Sequence, residues 1–318
     1  MLPARMRPAF SVAYLLCRYA DTIADTSILP ASKRLYWIER FPGLIEQQPT
    51  QEVAQLAKEI QGGSENPYEK ILIEHLSPCL DAFNHLPAEQ KPFVLEVARA
   101  VCHGMQLDLQ RFPQQHSSPV TALQTAQELE EYCRLMGGHP GLFWSQLIYH
   151  TTPIHATQEE FFTLGTHIGD TLQIVNILRD LPKDLQQGRC YFPQEDLDTC
   201  GLTANDLLNP QNSTRFEPIK QKWIRWGLTR LQAGMKYVSL LPKNQLGQRA
   251  AVAWPMLWAA DTLYKIHQEP DLLNPQKRVK ISRAIIYFTL LLTPPLWLSN
   301  RCFTAWLQHK LSKFDAKK

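Results

Sequence analysis

Two short stretches of this chain place acidic oxygens on helices that otherwise look apolar. In HIGDTLQIVNILRDLPKDLQQGRCYFP (residues 167–193), Asn176, Asp180 and Asp184 recur every four residues, with Gln173 and Arg179 alongside. The same helix carries an apolar stripe of Ile168, Leu172, Val175 and Leu178. In YLLCRYADTIADT, Tyr14, Arg18, Asp21 and Asp25 follow one another at steps of four, three and four. Those steps turn an α-helix by about 400°, 300° and 400°, so the four side chains share a face and the two aspartates lie about 6 Å apart along the axis.

Taken singly, each ladder also fits a solvated polar face with ordinary ion pairs one turn apart. Taken together, four carboxylates converging from two helices would repel unless cations lay between them. Oxygen-only ligands suit Mg²⁺, which keeps part of its shell for water and phosphate oxygens. A diphosphate is then the natural third party, with Arg18 and Arg179 supplying charge-assisted hydrogen bonds to it. The chemistry expected is departure of diphosphate assisted by Mg²⁺ and arginine, leaving a carbocation in an apolar, helix-lined cavity.

The elements that must position these residues are helices. Apolar residues recur at helical spacing over 9–25, 31–47, 51–61, 66–85, 88–112, 120–150, 157–187, 214–240, 243–268 and 276–309. Breaks fall at ILPAS, QGGSENP, LPAEQKP, FPQQHSSP, TTPIHA and EPDLLNPQ. With 44% apolar residues and only 14 glycines in 318, the chain lacks the regular turn punctuation of a β-sandwich or an α/β sheet. No linker is long enough to separate domains and no solenoid period is present, so the expectation is one all-α domain over residues 1–318, a helical bundle around a central cavity.

The net charge of +3 is small and evenly spread, which argues against a nucleic-acid partner. Seven scattered cysteines with no Cys-x-x-Cys pair indicate neither a disulfide framework nor a zinc cluster, and point to a reducing cytosol. The N-terminal MLPARMRPAFSVAYLLCRYADTIAD shows no signal cleavage site and reads as part of the fold. The most apolar run, AIIYFTLLLTPPLWL (284–298), is shorter than the roughly 20 residues a transmembrane helix needs, and a double proline interrupts it. Two readings of it stand: a kinked final core helix, or a segment dipping one face into a membrane surface beside Lys277, Arg278, Lys280, Arg283 and Lys310.

These residues also carry a resemblance. The run Gly169, Gln173, Asn176, Ile177, Arg179, Asp180, Asp184, Arg189, Tyr191 and Pro193 resembles the extended second motif of the squalene/phytoene synthase family, the head-to-head trans-isoprenyl diphosphate synthases. Tyr14, Arg18, Asp21 and Asp25 match its first motif, in an Asp-Thr-x-x-Asp form closer to squalene synthases. HGMQLDLQRF (103–112), EYCRLMGGHPG (131–141) and VKISR (279–283) are similar to further family segments, so the likeness covers nearly the whole chain. It implies an isoprenoid synthase-type bundle with Asp21, Asp25, Asp180 and Asp184 as Mg²⁺–diphosphate ligands, Asn176 as a metal ligand and Gln173 beside them. It also implies Tyr132 as the active-site tyrosine, diphosphate contacts from Arg18, Arg179, Arg189 and Tyr191, and close approach of the prenyl chain at Gly137, Gly138 and Gly141. The implied reaction joins two prenyl diphosphates, here farnesyl diphosphate, through a cyclopropylcarbinyl diphosphate to squalene or a related triterpene. Squalene would require hydride from NADPH, although no Gly-x-Gly-x-x-Gly occurs.

Three features depart from the pattern. Family members carry a further helix upstream of the LP found here at residues 2–3; the MGGHPG run puts His139 and Pro140 where small apolar residues are usual; and Pro182 interrupts the second ladder. His139 reads either as a titrating group or as a structural histidine at a helix break. Pro182 cannot donate to the Leu178 carbonyl, so the helix is expected to kink between Asp180 and Asp184. Phytoene or dehydrosqualene synthesis, a class I terpene cyclase using Asn176, Asp180 and Asp184, and a non-catalytic partner subunit are the alternatives. Prenyl chain length and oligomeric state are left open.

Overall fold

The computed structural model describes residues 2–62, 66–112 and 119–314, and they are overwhelmingly helical, as expected. The breaks expected in QGGSENP and FPQQHSSP include residues 63–65 and 113–118, which lie outside the described residues. Contacts divide the chain into two compact units, residues 2–113 with 146–151, and residues 114–145 with 152–318.

The first unit holds α1 (Arg7–Asp25), α2 (Ala31–Gln47), α3 (Thr50–Glu59), α4 (Pro67–Glu74), α5 (Leu76–Asn84) and α6 (Lys91–Arg111). In α1 the residues Ala9, Val12, Ala13, Leu16, Ala20 and Ile23 are buried, and α1 packs on α2, α5 and α6. Tyr19 stacks on Phe41 of α2 with ring centroids 5.5 Å apart. The one helix expected over 66–85 is two, broken at His75, because Pro78 cannot donate to the Glu74 carbonyl.

In the second unit, β1 (Thr121–Leu123) leads to α7 (Ala126–Cys133), a π-turn (Arg134–Gly138) and α8 (His139–Thr151), whose last residues belong to the first unit. Then follow α9 (Gln158–Gln186), β2 (Arg189–Pro193), α10 (Gln194–Thr199), two short 3₁₀ turns, α11 (Ser213–Leu240), α12 (Leu246–Gln268), α13 (Arg283–Leu298) and α14 (Asn300–Ser312). The final helix expected over 276–309 is thus two helices, divided where Ser299 caps α14 by accepting from the Cys302 amide. No described helix is long and apolar enough to cross a membrane.

Helix α9 is the axis of this unit, packed on α11, α12 and the π-turn. It continues through Pro182 to Gln186, and the buried Leu178, Leu181 and Leu185 supply packing that outweighs one lost backbone bond. Its approach to the π-turn is backbone on backbone. A Cβ at Gly137 would collide with the Gly169 carbonyl, and one at Gly141 with the Gly165 carbonyl. Gly169→Ala should therefore force the two helices apart. Overpacking of this kind costs about 1–3 kcal/mol, to be read as a lower urea midpoint at unchanged slope.

Candidate active site

The first ladder lies where its periodicity puts it. Tyr14, Arg18, Asp21 and Asp25 lie on the solvent side of α1, opposite its buried stripe; Tyr14 and Asp25 are exposed, while Arg18 and Asp21 are half-buried. Arg18 is gripped from two sides, by Asp21 and by Glu69 of α4. Glu69 has no signal in the first motif; only the fold brings α4 to α1. Burial, reinforced by the Asp25 charge, pushes the Asp21 carboxyl up to about 6 even though Arg18 pulls the other way.

That shift has a sign. An acid whose folded pKa is about 6, against about 3.9 when unfolded, binds its proton more tightly in the native state. Its contribution to stability is therefore lost as pH rises from about 4 to about 6. In metal-free protein, Asp21→Asn is expected to flatten the fall in urea midpoint across that window, measured against wild type at each pH.

The second ladder sits on α9. Arg179 forms a two-point pair with its neighbour Asp180, Nε to Oδ1 at 2.9 Å and Nη2 to Oδ2 at 2.5 Å. Asp180 holds the guanidinium more firmly protonated, and Asp184 acts in the same sense. Asn176 and Arg179 also line a cavity of about 520 Å³, a volume typical of small-molecule pockets. Its other walls are Leu172 and Val175 of α9, Pro255, Trp258, Ala259 and Thr262 of α12, and Val279, Lys280 and Ile281 of the VKISR stretch. Leu172 and Val175 had read only as a packing stripe. They line the cavity because α12 leaves a gap beside α9, which periodicity within α9 cannot reveal.

A strand hidden from helical periodicity brings two further site residues together. Gly188, at φ 78°, turns the chain out of α9 in a left-handed conformation that suits glycine, and β2 then pairs in parallel with β1. This returns Tyr191 to Tyr132 on α7. Their rings stack at 4.6 Å, and the Tyr132 hydroxyl donates to Tyr191 Oη at 3.2 Å. Arg189 opens the same strand and is half-buried. At Gly137 and Gly141 the close crossing with α9 leaves no room for a Cβ.

A further charged group escaped the sequence reading. Asp170, on the same side of α9 as Gln173, is only 1% exposed and accepts from Arg134 Nε at 3.1 Å and Nη2 at 3.0 Å. Arg230 of α11 reaches it at 3.5 Å while lying over the Trp226 ring, and Trp226 donates to Glu130 of α7. Burial raises the Asp170 pKa against the pull of both arginines.

The donor chemistry fits Mg²⁺ on both helices: hard oxygen donors, carboxylates one helical turn apart, and at Asp21 a carboxylate that burial and Asp25 already disfavour without a cation. Among the described residues no group of three or more His, Cys, Asp or Glu converges tightly enough to form a complete protein cage. Mg²⁺ commonly completes its shell with water and phosphate oxygens instead.

Sequence and fold both have known counterparts. The family model described as Squalene/phytoene synthase matches residues 1–284. The 15-cis-phytoene synthase of a Synechocystis species is 25% identical over 278 residues, 83% of this chain and 68% of that protein. The squalene synthase of Schizosaccharomyces pombe is 22% identical over 284 residues, 89% of this chain and 59% of that protein. The chain therefore spans roughly three fifths to two thirds of the length of these relatives. Among solved structures, a complex of TcSQS with the ligand BPH1237 superposes with a TM-score of 0.76 at 18% identity, covering 98% of this chain and 90% of that one. The squalene synthase HpnC from Alicyclobacillus acidocaldarius superposes at 0.57 and 19% identity, over 85% and 86% of the two chains. At such identities the structural likeness speaks for the fold.

Proposed function

The chain belongs to the squalene/phytoene synthase family, and from that premise we propose that it is a Mg²⁺-dependent enzyme that joins two prenyl diphosphates head to head. The observation that carries this reading is the placement of Asn176 and Arg179 on the wall of a largely apolar cavity. A diphosphate held at the ladder would leave its hydrocarbon chain against Leu172, Val175, Pro255 and Trp258. Those apolar walls would shield one side of a carbocation from water.

Asp21 and Asp25 on α1, and Asn176, Asp180 and Asp184 on α9, are the groups proposed to hold Mg²⁺. When bound, Mg²⁺ supplies charge to stabilise the departing diphosphate. Arg18 and Arg179 hold non-bridging oxygens of the leaving group; Tyr14, Gln173 and Arg189 orient it. In the first half-reaction one carbon–oxygen bond breaks with both electrons going to diphosphate, the carbocation adds to the double bond of the second substrate, and a proton is lost as the cyclopropane closes. Tyr132, fixed by its stacking and hydrogen bond to Tyr191, is proposed to handle that proton or steady the cation beside it. Loss of the second diphosphate and rearrangement follow. Hydride from NADPH then gives squalene, whereas loss of a proton gives a dehydrosqualene or phytoene skeleton.

Farnesyl diphosphate is the proposed substrate, and the phytoene reading is kept because several relatives are named phytoene synthases. Purified protein with Mg²⁺ should release two diphosphates per product from the C15 or the C20 substrate, with product identity compared with and without NADPH. No diphosphate from either substrate would refute the proposal. A cyclised product from a single substrate would reassign it to the terpene cyclases.

A further inference from the structure

Helix α13 leaves apolar side chains in water. Ala284, Tyr287, Phe288 and Leu291 stand at i, i+3, i+4 and i+7 and form one outward stripe, with Tyr287 66%, Phe288 56% and Leu291 75% exposed. Ile285, Ile286 and Leu292 are half-buried. Thr289 and Thr293 are buried, and Thr293 accepts from Trp254 Nε1 of α12 at 2.8 Å. A surface helix ordinarily turns polar residues to solvent, and a continuous apolar stripe left in water marks an interaction site.

The surrounding charge says what covers it. No Asp or Glu occurs between Asp271 and Asp315, while Lys277, Arg278, Lys280, Arg283, Arg301, Lys310 and Lys313 all fall in that interval. Two of the seven are committed elsewhere: Lys310 is buried against Asp261 of α12, and Lys277 pairs with Glu269 and Asp271. Arg278, Lys280 and Arg283, at the entry to α13, and Arg301, just beyond its end, are exposed. A second copy seated on the same stripe would bring two carboxylate-free basic segments together, which is repulsive. A nucleic acid has no use for the apolar stripe.

We propose that α13 is a docking face for an anionic lipid bilayer, with the stripe in the acyl boundary and the exposed cations at the headgroups. A helix of this kind lies in the interface with its apolar face buried about 5–10 Å, which agrees with the absence of any described helix able to span. Lipid docking stands without the proposed reaction. One consequence rests on that reaction: Val279, Lys280 and Ile281 line the cavity and run directly through Ser282 into α13, so the docked helix begins at the wall that would hold the prenyl chain.

Vesicle flotation of the full chain tests this, with phosphatidylcholine alone and with about one third phosphatidylglycerol added. Wild type should float with the mixed vesicles, much less with the neutral ones, and should be released by high salt. Tyr287→Ser/Leu291→Ser should weaken binding tenfold or more, and Arg278→Gln/Arg283→Gln about fivefold per charge removed. Because all four side chains are exposed, circular dichroism melting should match wild type, and diphosphate release from soluble substrate should be unchanged. Equal flotation by wild type and the stripe variant would overturn the proposal. So would a wild-type dimer, seen in sedimentation velocity, that the stripe variant dissociates while neither protein floats. Loss of the reaction alone, with flotation intact, would count against the enzymatic reading and not against the docking.

Discussion

Asp180→Asn is expected to lower diphosphate release by about 10²–10³-fold while leaving the protein folded. Two effects of opposite sign follow from the substitution. The proposed Mg²⁺ site loses a carboxylate charge, and Arg179 loses the partner that now holds both its Nε and its Nη2. A released guanidinium would gain a second charge-assisted contact with diphosphate worth about 1.5–3 kcal/mol. Loss of an anionic ligand to a doubly charged cation, in a site that must carry the charge of a leaving group, is the larger effect. The sum should be a strong net loss, with the Mg²⁺ requirement shifted to higher concentration. Stability should move by no more than about 1 kcal/mol, since both side chains are about one third exposed and such ion pairs contribute little. Diphosphate release measured across a Mg²⁺ titration checks both statements. An unchanged rate at limiting Mg²⁺ would remove Asp180 from the proposed machinery.

Legibility from sequence followed the range of the physical signal. Helices α1 and α9 were readable because each keeps one face buried over its full length, so spacing alone put Asp21 beside Asp25 and Asp180 beside Asp184. Tyr132 and Tyr191 were each singled out only through the family pattern, and their contact had no sequence signal, since it depends on two short strands pairing across a long stretch of intervening chain. Glu69 and Trp258 carried no local signal, because their place is fixed by which helix packs on which. Pro182 does not end α9: three buried leucines keep the helix running past it, and the expected kink is a matter of bend within that continuous helix. Gly137 and Gly141 stood out in sequence only through the family pattern, whereas the close helix crossing that excludes a Cβ there depends on α9 packing against them.

The largest stability effect should come from a residue outside both ladders. Asp170→Ala is expected to cost about 3 kcal/mol, read from urea or thermal unfolding. The carboxylate is almost fully buried and holds Arg134 by two hydrogen bonds, with Arg230 at 3.5 Å. Removing it leaves two guanidiniums facing one another across a cavity, and the penalty for the uncompensated charge exceeds what the pair itself contributes. Both arginines retain some access to solvent, at 46% and 20% exposure, which limits the loss. Glu130 also remains near Arg230 at 3.6 Å. A double-mutant cycle with Arg134→Ala separates the two contributions: if repulsion between the guanidiniums dominates, Asp170→Ala/Arg134→Ala will be more stable than Asp170→Ala alone. The same substitution has a reach beyond stability, because Arg134 is the first residue of the π-turn and Tyr132 stands two positions before it. A loosened π-turn should therefore lower the turnover rate as well, in protein that still binds substrate. If Asp170→Ala costs stability but turnover at saturating substrate is unchanged, the Arg134–Asp170 pair supports the fold and does not position the tyrosine.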